Sequence, residues 1–214
     1  MKKCSGRLRL LFGGTVLVAM LCLLTCGGCG LLGNMLQEAP PEREFEIEEL
    51  LIDASAFPPG WETDSEGPHI PAGQAPLGGG PMSLQRRVLF FHVCGGGGGA
   101  FEQIYRMTSV RGAAKEFERQ MTVWFPTRGY WTPWEHPIEV LYERSVADRF
   151  HMACARDLAR PDLAQKCHFI GQYEEYLVWF STDMSPTFMT YEDLERILQA
   201  IDEQMTQHLG KEVE

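Results

Sequence analysis

A chain of 214 residues, 44% hydrophobic and 22% charged, has the length for one globular domain with a tail rather than for two domains. The formal net charge is -10, and Lys2, Lys3, Arg7 and Arg9 all precede the first acid, Glu38. Taking those four from the 19 basic residues leaves 15 against 29 acids, a net of -14, so the remainder repels phosphate backbones and gains no hold on anionic lipid head groups. No nucleic-acid partner is expected.

The four cations form a basic start, and residues 10–24 (LLFGGTVLVAMLCLL) follow without a charge. The small-residue stretch TCGGCG comes next. This is the anatomy of an export signal: positive, apolar, then small. The next charge after Arg9 is Glu38, so the uncharged stretch is also long enough to cross a bilayer as a helix. In either case the basic side stays inside and the rest goes out. Residues 1–25 are therefore read as signal peptide or membrane anchor. Leu23-Leu24-Thr25-Cys26 resembles a bacterial lipobox, although Thr25 stands where a smaller residue is usual. Cys26-Gly27-Gly28-Cys29 offers a second register. The resemblance implies a lipid on Cys26, with Cys29 as the alternative; an uncleaved helix and cleaved secretion stay open beside it.

Residues 26–48 read as a flexible acidic tether, with little to bury. A single extracytoplasmic domain is expected over 49–214. Glu49 to Asp53 is a short first element, and Phe57-Pro58-Pro59-Gly60-Trp61 is a rigid turn carrying a Trp into the fold. Residues 66–80, rich in Gly and Pro, form a loop. Arg86 to Val93 is strand-like in its Val and Phe content, and a glycine run separates it from AFEQIYRM, which favours a hairpin. Ser109 caps a helix whose apolar stripe is Val110, Ala113, Ala114, Phe117, Met121, Trp124 and Phe125, with Lys115, Glu116, Glu118 and Arg119 on the other side and Pro126 as the stop. DRFHMACAR, KCHFIG and EYLVWFST read as three antiparallel strands. A last helix starts at Thr190, with Asp193 completing its cap, and Gly210 ends it. The whole predicts an α+β domain: an antiparallel sheet of about five strands packed by two main helices, strands then helix, twice.

Cys154 and Cys167 are the clearest pair. Aligning the apolar faces of their strands sets Phe150 against Gly171, Met152 against Phe169 and Cys154 against Cys167. A disulfide is expected, closing a short loop and stabilising the fold by about 3 kcal/mol. A zinc site of His151, Cys154, Cys167 and His168 has the right composition, but His151 and Cys154 point to opposite faces of one strand, as do Cys167 and His168 of the next. No metal and no cofactor is expected. Cys94, with His92 on the same strand face, is a candidate nucleophile, but no nearby cation lowers its pKa, and a buried thiol or a partner for Cys29 explains it as well. The glycines at 95–99 satisfy a nucleotide-binding pattern only because a glycine run satisfies any such pattern; a hairpin loop suffices.

Residues 125–138 (FPTRGYWTPWEHPI) place Tyr130, Trp131, Trp134 and His136 on a proline-stiffened loop. They are the candidate binding surface, able to stack on sugar rings or on a partner protein; the plainer reading is a lid over the sheet. Glu174-Glu175 reads as a solvated turn rather than an acid/base pair. No G-x-S-x-G signature occurs. In outline (lipobox-like cysteine, acidic spacer, Phe-Pro-Pro-Gly-Trp turn, small α+β domain, terminal helix) the chain resembles uncharacterised bacterial lipoproteins. That resemblance carries over no activity and no catalytic residue. The anchor, the tether and the absence of a convergent catalytic set point instead to a module attached to the cell membrane, facing out, that binds an envelope protein or cell-wall glycan without catalysis. A lipid-anchored hydrolase is the alternative.

Overall fold

Strand patterning in this domain follows from how many faces each strand must bury. The computed structural model describes residues 41–64, 82–92, 98–126, 129–140, 142, 146–159 and 165–210. Their strands are β1 (Trp61–Asp64), β2 (Met82–His92), β3 (Gly99–Met107), β4 (Arg149–Ala155), β5 (Gln165–Tyr173) and β6 (Tyr176–Met184). Two α-helices, α1 (Val110–Trp124) and α2 (Tyr191–Leu209), and two 3₁₀ turns, Ile47–Leu50 and Ala54–Ala56, complete the described elements. The strands form one antiparallel sheet in the order β1-β2-β3-β6-β5-β4. The α+β architecture is as expected. There are six strands rather than five because the chain leaves the Phe57–Trp61 turn as an edge strand against β2, with Trp61 buried.

The helices begin and end where their caps require. The Ser109 hydroxyl accepts from Gly112 N at 3.0 Å, and Thr190 and Asp193 form a reciprocal capping box. Gly210 closes α2 at φ 66°, in the left-handed region that favours glycine. The chain repeats strands-then-helix, but the helices pack on opposite faces of the sheet. Phe117 and Ala113 of α1 meet Tyr105, Ala153, Ile170 and Leu177. Leu194, Ile197, Leu198, Ile201 and Met205 of α2 meet Ile104, Phe169, Val178 and Phe180. β6 is thus covered on both sides, which is why Tyr176 to Phe180 is apolar without alternation.

Two polar residues of α1 correct the stripe read from the sequence. Glu116 and Gln120 are buried, whereas Val110 is exposed. They face inward because Glu116 is held by Arg119 at 2.8 Å and by Gln120 at 2.6 Å, and Gln120 in turn accepts from Trp124 Nε1. A buried carboxylate with that many donors is satisfied where an isolated one is not.

β4 and β5 take the register that aligns their apolar faces: Phe150 opposite Gly171, Met152 opposite Phe169, and Cys154 opposite Cys167. The two cysteines form a disulfide. Cys154 directs both its backbone groups away from β5, to Glu135. The cysteines are therefore a non-hydrogen-bonded pair, the closer kind of cross-strand neighbour. Gly171 has its own reason: a Cβ there would lie 2.7 Å from the Tyr173 ring and 2.8 Å from that of Phe169.

The compact unit begins at Pro40. Residues 43–48, assigned from sequence to the tether, pack onto the sheet instead, and residues 26–40 of that tether lie outside the described residues. Phe45 packs on Tyr176, and Ile47 and Leu50 are buried. From there the chain climbs the α2 face as a strap fastened at three levels. Arg43 pairs with Glu175 at the β5–β6 turn, Ile52 N donates to Glu102 Oε2 at 2.9 Å, and Trp61 Nε1 donates to Phe188 O at 2.9 Å.

Candidate functional site

Because α1 stops at Trp124, with Phe125 as its cap and Pro126 next, the helix leaves part of its sheet face uncovered. Reading across the strands there, Phe101 lies opposite Ser181, and Ser181 opposite His168. One step further along, Asp183 lies opposite Lys166. Phe101, Ser181, Asp183 and Lys166, with Phe91 and Gly99, line an open groove of about 320 Å³. Its floor is aromatic. Phe101 meets Trp179 edge to face at 4.7 Å between ring centres, Trp179 packs on Trp124 at 3.5 Å, and Phe91 is 41% exposed. Its wall is a neutralised ion pair: Lys166 Nζ is 3.1 Å from Asp183 Oδ1, while Asp183 Oδ2 accepts from Gly99 N at 3.3 Å.

Next to the groove, His168 sits in a box of rings. Trp134 is 4.6 Å away between ring centres, Phe125 and Trp179 are both 6.0 Å away, and Trp124 is 6.2 Å away. Its Nδ1 lies 3.2 Å from Trp124 O. Burial, helped by the Lys166 charge and opposed by the Trp124 carbonyl, pushes its pKa down to about 3. The imidazole is neutral in the physiological range, and it is a weak base despite its cross-strand place beside Ser181. His151, nearer β4's edge, is also lowered, by burial first and then by His136, and its ring packs on Phe125.

The structure divides the predicted aromatic surface. The loop pairs with the edge of β4: Thr132 N donates to Arg156 O, Glu135 and Cys154 exchange backbone bonds, and Leu158 N donates to Tyr130 O. Trp134 is the lid, half-buried over His168 and Phe125. Trp131 stacks on it at 5.6 Å. Tyr130 is 77% exposed, beside exposed Leu158. His136 is exposed, with its Nε2 3.3 Å from Val140 O. Trp134 thus lids the sheet, while Tyr130 and His136 face solvent.

The cysteine and histidine cluster cannot converge on a metal. Both sulfurs are spent in the disulfide on the α2 face, and His151 and His168 lie on the α1 face. Among the described residues no group of three or more His, Cys, Asp or Glu is placed to hold an ion. Cys26, Cys29, Cys94 and the glycines at 95–97 lie outside the described residues, as does the apolar stretch at 10–24. No helix among the described residues is long and apolar enough to cross a membrane.

One reading is overturned. Glu175 is not a solvated turn residue: it is fully buried, bonded by Arg43 Nε at 2.9 Å and Nη2 at 2.6 Å, with Arg106 Nη2 3.4 Å away. Arg43 and Arg106 both also lie over the Tyr176 ring, at 5.9 and 5.6 Å. The sequence hides this because Arg43 is 132 residues from its partner. Glu174, at φ 54°, takes the left-handed turn position more often given to Asn or Gly. Asp148 holds its N–H at 2.7 Å and Arg43 holds its carboxylate.

Sequence reasoning also missed the groove, since Phe91, Phe101, Lys166, Ser181 and Asp183 come from four strands. Their common face was readable strand by strand, but the alignment of β3 with β6 was not. No protein-family model, no curated protein and no solved structure matches this chain.

Proposed function

We propose that this protein is a membrane-anchored extracytoplasmic lipoprotein, held by a lipid on Cys26 or Cys29, that works as a non-catalytic binding module of the cell envelope. The observation that carries the binding reading is the shallow, aromatic-floored groove, with the exposed Tyr130 as a second candidate contact. Export is supported by the basic-then-apolar N-terminus and by the Cys154–Cys167 disulfide, a bond that persists in oxidising compartments. The strap gives the arrangement a direction. The chain enters at the β5–β6 turn, where Arg43 meets Glu175, and the groove lies at the other end of the same strands, around Gly99 and Asp183.

A hydrolase reading draws no support from the Ser181–His168 neighbourhood, because the imidazole is held far too acidic for a general base. Two measurements test the proposal. Mass spectrometry of the mature N-terminus should find acyl chains on Cys26 or Cys29. Photo-crosslinking in intact envelopes, from a probe at Tyr130 or Phe91, should give a discrete adduct, whereas a probe at Val110, at the far end of α1, should not. An unmodified N-terminus retires the lipoprotein half. Silence from both the Tyr130 and the Phe91 probe retires the binding half.

A further inference from the structure

The groove's lining narrows what can occupy it. It lies on a sheet face, so the backbone groups of its strands are committed to their ladders, and Gly99 N is taken by Asp183. A peptide cannot add a strand there, and recognition falls to side chains. An anionic ligand would meet the Asp183 charge beside Lys166 and approach an exported chain of net charge -14. A purely apolar ligand would bury that pair without replacing its water, which costs more than the aromatic floor returns. What remains is a ligand apolar on one face and rich in neutral hydroxyls around its edge.

We infer that the groove is a subsite for a neutral sugar ring of an envelope glycan. The ring's C–H face lies on Phe91 and Phe101, its hydroxyls donate to Asp183 and accept from Lys166, and Ser181 can do either. The Lys166–Asp183 pair stays intact while binding, since each charged group has hydrogen-bonding capacity beyond the other. The volume, about 320 Å³, is at the small end for ligand sites, fitting one or two rings rather than a long chain. Phe101 is pre-set by its edge contact with Trp179, so little order is lost on binding. This inference rests on the binding reading above and names its ligand class.

The test uses the full-length, ¹⁵N-labelled chain in a detergent without a sugar head group. It is titrated with an N-acetylglucosamine trimer, with maltotriose and with a glucuronate oligomer. A neutral sugar should shift the amides of Gly99, Phe101 and Ser181 saturably, and the glucuronate oligomer should bind at least about ten-fold more weakly. Phe101→Ala should weaken binding about ten-fold, the worth of one aromatic contact. Asp183→Asn, which keeps the side chain's shape, should do the same without touching the Trp179 packing, while Tyr130→Ala should leave affinity within two-fold. No saturable shift with either neutral sugar, equal or tighter binding of the glucuronate oligomer, or shifts confined to the Tyr130 loop overturns the assignment. The binding reading survives such a failure if the Tyr130 or Phe91 crosslink still forms, and falls separately if it does not.

Discussion

Glu102 offers the sharpest handle on the energetics of this fold. Its carboxyl is fully buried on the α2 face; Oε2 takes the Ile52 N–H, and Oε1 has no hydrogen-bond partner. Burial pushes its pKa from 4.5 up to about 8, against the Ile52 bond that pulls it down. The folded chain therefore holds a proton that the unfolded chain releases, so the contribution of Glu102 to stability is greatest below pH 4.5 and falls as pH rises toward 8. At pH 7 the cost amounts to about 3 kcal/mol, and above pH 8 it levels near 5 kcal/mol, at roughly 1.4 kcal/mol per pH unit. Glu102→Gln keeps an acceptor for Ile52 and removes the titration. It should match the wild type near pH 4 and exceed it by about 3 kcal/mol at pH 7, measured by urea unfolding at a series of pH values. His168 works in the opposite sense: buried neutral, it makes stability fall as pH drops from 6.5 toward 3. In the wild type the two slopes offset one another between 4.5 and 6.5, leaving a plateau there and losses on both sides. A Glu102→Gln advantage that stays constant with pH, or a wild type that gains stability from pH 7 to 8, refutes the reasoning.

Four further outcomes follow from contacts described above. Replacing both Cys154 and Cys167 with Ala should cost about 3 kcal/mol, seen as a lowered denaturation midpoint that reductant no longer changes. Arg43→Ala leaves Glu175 buried with only Arg106 nearby; about 2 kcal/mol should be lost, with faster amide exchange over residues 43–52 as the strap frays. Gly171→Ala drives a methyl into the Phe169 and Tyr173 rings and should cost about 2 kcal/mol by thermal or urea unfolding. Truncating Trp134 to Ala should cost about 3 kcal/mol because it lids His168, whereas Tyr130→Ala should leave stability within about 0.5 kcal/mol.

What could be read in advance was local or two-periodic. Thr190, Asp193 and Gly210 announce a helix by their own chemistry, and α2 occupies the span they mark. The Cys154–Cys167 register followed because a slip of one residue would turn every apolar side chain of β4 to the wrong face. What could not be read depends on partners far away in the chain. Glu175 resembles any turn glutamate until Arg43 and Arg106 are placed beside it. Glu116 and Gln120 look like solvent-face residues until the Arg119 and Trp124 bonds turn them inward. The groove required the pairing of β3 with β6, which joins two hairpins separated by α1, and no short-range pattern encodes that choice.

The Arg43 clamp also fixes where the described chain joins the sheet. Pro41 O accepts from Arg106 of β3, Arg43 pairs with Glu175, and the Glu175 carbonyl takes the N–H of Met107 at 2.8 Å. These first residues are therefore fastened to the ends of β3 and β6, the two central strands, and not to an edge strand. Peeling them away means breaking an ion pair whose Glu175 end is shielded from water.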